Sequence, residues 1–256
     1  MGEARLRREG KGGFRTLRGC FIPREPVPVT TRRSARELKK KRMFKFGDWI
    51  NRQRHNRGFG IQSPSTFFFI TQVLREKMPY YAYDELDDIA ECCREMSRRR
   101  CRMLFRIVNH FAPESSITIA SATAACSIAS ARRSIPKLLL TQGTAIPAEA
   151  AKHLADNGCI HRSGNTLQLL KERLEEDGRC GLLYIGECDN QPRLLETALA
   201  YTNKESIIIV EGVHRNSAWW KQVTDDPRTI ITFDMHSAGI LLFDDGRHKQ
   251  NYTLKR

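Results

Sequence analysis

From Ile117 onward the chain alternates short, nearly continuous apolar runs with helix-friendly stretches, and this alternation restricts the fold more than any other feature of the sequence. Apolar runs at residues 117–120, 137–141, 181–185 and 206–210 have the length of buried strands, and a shorter one lies near 159–161. Helical stretches at 122–133, 147–156, 167–176, 192–202 and 217–224 follow or separate them. Strands without polar alternation, joined through helices, predict an α/β fold with a mostly parallel sheet covered on both faces. The end of the chain differs. Thr229-Ile-Ile-Thr-Phe233 and Gly239-Ile-Leu-Leu-Phe243 flank a turn over 234–238, which reads as an antiparallel hairpin, and Asn251-Tyr-Thr-Leu254 offers a last short strand.

The first strand runs directly into small residues, as Ser116-Ile-Thr-Ile-Ala-Ser-Ala-Thr-Ala-Ala-Cys-Ser127. A strand, a tight turn and a helix N-terminus form the usual place for an α/β protein to hold a nucleotide-like ligand. Glycine normally lets the backbone approach such a ligand, and this turn has none.

Upstream, Ser63-Pro64 supplies an N-cap and a proline at the first helical position, so a buried helix is expected through Phe67-Phe-Phe-Ile70 to about Lys77. Apolar residues recur at helical spacing from Asp84 to Phe111, interrupted by Arg98-Arg-Arg100. A charge run on a helix reads as a solvated face, and here it marks a break between two helices. Residues 1–42 carry 14 Lys/Arg against 4 Asp/Glu, about +10 of the net +14. Their composition is that of a disordered basic tail, or of an over-long reading frame whose start is Met43. The solvated tail is the favoured reading; the alternative is an electrostatic arm, and nucleic acid would then bind through this tail alone. No run of 18 apolar residues is present, so no membrane span is expected, and a cytoplasmic location follows from the lack of a secretory h-region. The eight cysteines form no C-x-x-C pair, which argues for reduced thiols and against a zinc site.

Several segments resemble a methyltransferase-like family of Bacteroidetes-type bacteria. They are Gly58-Phe-Gly-Ile-Gln-Ser-Pro-Ser-Thr-Phe67, Tyr80-Tyr-Ala-Tyr83 and Arg102-Met-Leu-Phe-Arg-Ile-Val-Asn-His-Phe-Ala-Pro113, then Trp220-Lys-Gln-Val-Thr-Asp-Asp-Pro227, Thr232-Phe-Asp-Met-His-Ser-Ala-Gly-Ile240 and Lys249-Gln-Asn-Tyr-Thr-Leu254. The layout is that of class I S-adenosylmethionine-dependent methyltransferases. The resemblance implies a Rossmann-like methyltransferase domain at 114–256, an N-terminal helical region at 43–113, and S-adenosylmethionine as cofactor. In related folds such helices cap the active site or form a homodimer contact, so Tyr80, Tyr81 and Tyr83 become candidates to line a pocket.

The same resemblance indicates where the cofactor residues belong. Ile119 stands where an acid is expected, and Ser121 and Ala125 stand where glycines are expected, with Thr123 between them as a hydrogen-bond donor. Gln142 takes the place of the ribose-binding carboxylate after the second strand, and an uncharged amide forfeits the charge assistance of that bond. Glu187 or Asp189 after the fourth strand and Glu211 after the fifth are the remaining acids, an incomplete oxygen set for a divalent cation, so no metal is expected. His214 is the candidate catalytic base, against the alternative of a loop histidine held for structure. His236 reads as a turn residue, and Trp219-Trp220 as a helix packing a tryptophan on the sheet. Three readings follow: small-molecule O-methyl transfer from an eroded cofactor site, a catalytically inactive binding or interaction module on a methyltransferase fold, and an RNA-associated basic protein. The substrate is not identified by any of these residues.

Overall fold

The computed structural model describes residues 61–254; the basic tail expected at 1–42 lies outside the described residues. The chain opens with α1 (Pro64–Phe68), capped by Ser63, whose Oγ accepts from the Thr66 N–H. It continues as one π-helical turn, Phe69–Val73, and stops four residues short of the expected Lys77. Next come α2 (Tyr83–Cys93) and α3 (Arg98–Phe111). The break expected near the arginines falls just before them: Arg94 takes a left-handed conformation (φ 54°) and ends α2. The three arginines are instead the first turn of α3.

The α/β part runs β1 (Ser116–Ile119), α4 (Ala122–Ala131), β2 (Lys137–Thr141), α5 (Ala148–Asp156), β3 (Cys159–Ser163), α6 (Thr166–Asp177), β4 (Leu182–Ile185), α7 (Gln191–Leu199) and β5 (Ile207–Glu211). A 3-10 turn over Val213–Asn216 leads into α8 (Ser217–Asp225), then β6 (Ile231–Asp234), β7 (Ala238–Leu242) and β8 (Gln250–Thr253). The strands form one sheet in the order β3-β2-β1-β4-β5-β7-β6-β8. Strands β1 to β5 are parallel, and β7 pairs antiparallel with both β5 and β6. This is the Rossmann-like sheet with a C-terminal antiparallel hairpin that the sequence predicts.

Alternate residues of each central strand enter opposite cores. Leu182, Tyr184, Ile207 and Ile209 face the layer built by α1 to α3, where Phe69, Phe105 and Ile107 are buried. Leu183, Ile185, Ile208 and Val210 face α6, α7 and α8. The N-terminal helices thus share their core with the sheet. Trp220 of α8 packs on the sheet as expected, and β7 accommodates it through Gly239: a Cβ there would lie 2.1 Å from the indole ring.

Candidate functional site

The reversal of strand order beside β1 places the carboxyl ends of β1, β4 and β5 along one edge, where open α/β sheets bind ligands. The edge is organised by α4. Ser121 is its N-cap, and its Oγ accepts from the Ala124 N–H at 3.2 Å. The same hydroxyl donates to Glu95 Oε2 at 2.9 Å, and the Thr123 N–H donates to that oxygen at 3.1 Å. Glu95 arrives from the four-residue link between α2 and α3, which the left-handed Arg94 turns across the strand ends. A carboxylate on the first N–H groups of a helix meets both free donors and the positive end of the helix dipole.

Beside it, the sheet edge is filled by an ionic group. Glu211, the last residue of β5, is buried; it pairs with Arg100 and accepts the Tyr184 hydroxyl. Burial pushes the Tyr184 hydroxyl far up from its ordinary value, so it remains a neutral donor. The Arg100 side chain is only 17% exposed, which corrects the expectation that the arginine run is a solvated face. Met96, Met103 and Met235 close over this pair, leaving a cavity of about 10 Å³, scarcely room for one water. Gln191 ties the neighbouring loops, donating to the carbonyls of Gly186 at 2.8 Å and Glu211 at 2.9 Å. Gly186 itself is pressed against β1: a Cβ there would meet the Ala120 carbonyl at 2.7 Å, so only glycine fits.

The candidate residues divide accordingly. Ser121 and Thr123 meet at Glu95, while Ala125 is turned into the α4–α5 core with Ile89 and Leu139. Gln142 is exposed just beyond β2. Glu187 is exposed and pairs with Arg215 at 2.6 Å, apart from the buried Arg100–Glu211 pair. His214 is exposed beyond β5; its N–H donates to the His236 carbonyl at 3.2 Å and its ring stacks on that of His236, centroids 4.7 Å apart. His236 holds the turn with φ 71°. Among the described residues no three His, Cys, Asp or Glu side chains converge as a metal site would require. Sequence reasoning missed Glu95, Arg100, Tyr184 and Gln191. The one available signal was the unpatterned Glu95-Met-Ser97 between two periodic helices.

No protein-family model matches the chain, and no curated protein does. Solved structures do. The SAH-bound methyltransferase PaMTH1 of Podospora anserina superposes with a TM-score of 0.55 at 12% identity, over 73% of this chain and 98% of its own. The O-methyltransferase TomG of Streptomyces achromogenes, involved in tomaymycin synthesis and solved with SAM, gives 0.51 at 13% identity, over 69% and 94%. The fold is that of the class I methyltransferases. Among the described residues no helix is long and apolar enough to cross a membrane.

Proposed function

We propose that the chain binds S-adenosylmethionine at the β1–α4 junction and acts as a small-molecule O-methyltransferase, with Glu95 as an internal occupant that the cofactor displaces. The observation that carries this reading is the Glu95 carboxylate seated on Ser121 and Thr123. The methionine moiety of the cofactor ends in the same group, and a helix N-terminus recognises either. The residues fit the cofactor in kind: Ser121 and Thr123 would hold its carboxylate, and the Gln142 amide would hydrogen-bond its ribose. Glu95 is exposed and sits in a short link, so its departure disrupts no packed core.

When bound, S-adenosylmethionine supplies an electrophilic methyl group. The chain must then orient an acceptor hydroxyl and take its proton. His214 is the residue for that transfer, because it is exposed just beyond the carboxyl end of β5 and an imidazole can accept a proton from a hydroxyl. Glu211 is unsuited to it, since Arg100 and Tyr184 already hold its charge. Calorimetric titration of the full chain with S-adenosylmethionine tests the reading: saturable binding below millimolar supports it, and no heat at millimolar ligand overturns it.

A second reading, an inactive binding module, is favoured by one specific observation. Ile119, fully buried, stands where the resemblance expects an acid. Binding without turnover on any hydroxyl acceptor, unchanged by His214→Ala, would select it.

A further inference from the structure

The N-terminal helices carry a second, open feature. A cleft of about 640 Å³ lies between the segment after α1, the face of α2 and the first turns of α3. Of the ten described residues that line it, six are cationic, namely Arg75, Lys77, Arg98, Arg99, Arg102 and Arg106, and two are acidic. Residues 61–254 contain 23 Lys/Arg and 24 Asp/Glu, so this concentration stands out from a balanced body.

Both acids are already engaged. Asp87 accepts from Arg102 Nε at 2.9 Å and lies 3.8 Å from Arg98. Glu76 accepts the backbone N–H groups of Lys77 and Met78 at 2.8 and 2.9 Å. Arg106 is 8% exposed, yet neutral groups hold it: the carbonyls of Val73 and Leu74 and the Tyr83 hydroxyl, at 2.8, 3.1 and 2.9 Å. A buried charge with no carboxylate directly bound leaves positive potential at the cleft. Three consecutive arginines also occupy the first turn of α3, the end of a helix where cations are unfavourable, with no acidic residue in that turn and no side-chain cap. Arg100 is already paired with Glu211 and Arg98 with Glu91, so an anion in the cleft would serve Arg99 and Arg106 above all.

We propose that this cleft binds a small ligand bearing a di- or triphosphate chain. Its volume falls in the range of roughly 300–1,000 Å³ usual for small-molecule sites. Cations still outnumber acids along its lining with Arg98 engaged by Glu91, and a polyphosphate chain would complete that balance. A nucleic-acid strand fits less well. Arg102 already covers the Tyr83 ring, 4.7 Å from its centroid, so that face is closed to a stacking base.

The test is hydrogen–deuterium exchange on the full chain with tripolyphosphate. Residues 1–60 hold 18 Lys/Arg and attract any polyanion, so the readout must be local. Expected is amide protection at residues 74–77 and 98–106 at micromolar tripolyphosphate. A Lys77→Ala/Arg99→Ala double variant needs at least tenfold more, and a Lys152→Ala/Lys171→Ala control needs no more. Four outcomes overturn the proposal: protection confined to residues 1–60, protection unchanged in the cleft variant, equal protection by sulfate at matched ionic strength, or protection of these segments by a short RNA at lower concentration than tripolyphosphate.

Discussion

The sheet edge beside α4 and the cleft on the N-terminal helices are both built to handle charge, and they do so in opposite ways. At the edge, the buried charges and the helix N-terminus meet partners from the chain itself: Glu95 on Ser121 and Thr123, Arg100 and Tyr184 on Glu211. In the cleft, cations outnumber acids and the central arginine rests on neutral carbonyls. The two regions are linked, since the residues 94–97 that deliver Glu95 lead into the arginines of α3. The contrast teaches that one sheet edge can satisfy its charges within the chain while cations gather on an adjacent surface.

The contrast makes different demands on substitutions. Arg100→Ala strands the buried Glu211 charge, and removing one partner of a buried pair typically costs about 3–5 kcal/mol. Denaturant unfolding should register that loss, and the double variant Arg100→Met/Glu211→Leu should recover most of it. A loss below about 1 kcal/mol would mean that the edge is wetter than its burial implies. Ser121→Ala removes the α4 cap and one Glu95 contact; the expected destabilisation is about 1 kcal/mol by the same measurement. On the cleft side, Lys77→Ala and Arg99→Ala should leave unfolding free energy within about 0.5 kcal/mol, as for ordinary surface positions. A clear loss there would dissolve the comparison.

The smallest effect is in acid. The N–H groups of Met78 and then Lys77 hold the Glu76 carboxyl below its ordinary value of 4.5. A depressed folded value contributes stability above the unfolded one, and this contribution is lost as pH falls through the folded value. NMR titration of the Glu76 side chain should therefore place its midpoint below 4.5, and a midpoint at or above 4.5 would mean that the two N–H groups do not hold it.

Much of the fold was legible because its signals are local. Apolar runs such as 137–141 can only be buried on both faces, and Ser63-Pro64 and the hairpin mark their own ends. The site was less legible because its contacts are distant in sequence. Ser121 meets Glu95 across 26 positions, and nothing near Glu95 announces that a left-handed Arg94 will swing it onto a helix N-terminus. The arginine run misled for a related reason. Its periodicity does not say that Arg100 faces the sheet edge while Arg98 and Arg99 face the cleft. Thiols show the same limit: Cys101 and Cys126 are buried as expected, but Cys92 is exposed and donates to Glu149 at 3.1 Å.

The central claim is that Glu95 occupies the place of the cofactor's carboxylate. Its most direct test is the ratio of S-adenosylmethionine affinities between the full-length chain and its Glu95→Gln variant, measured by calorimetry at one ionic strength. Displacement of an internal competitor predicts binding at least tenfold tighter in the variant. Equal affinities, or weaker binding in the variant, would contradict it and leave Glu95 as a structural cap of α4.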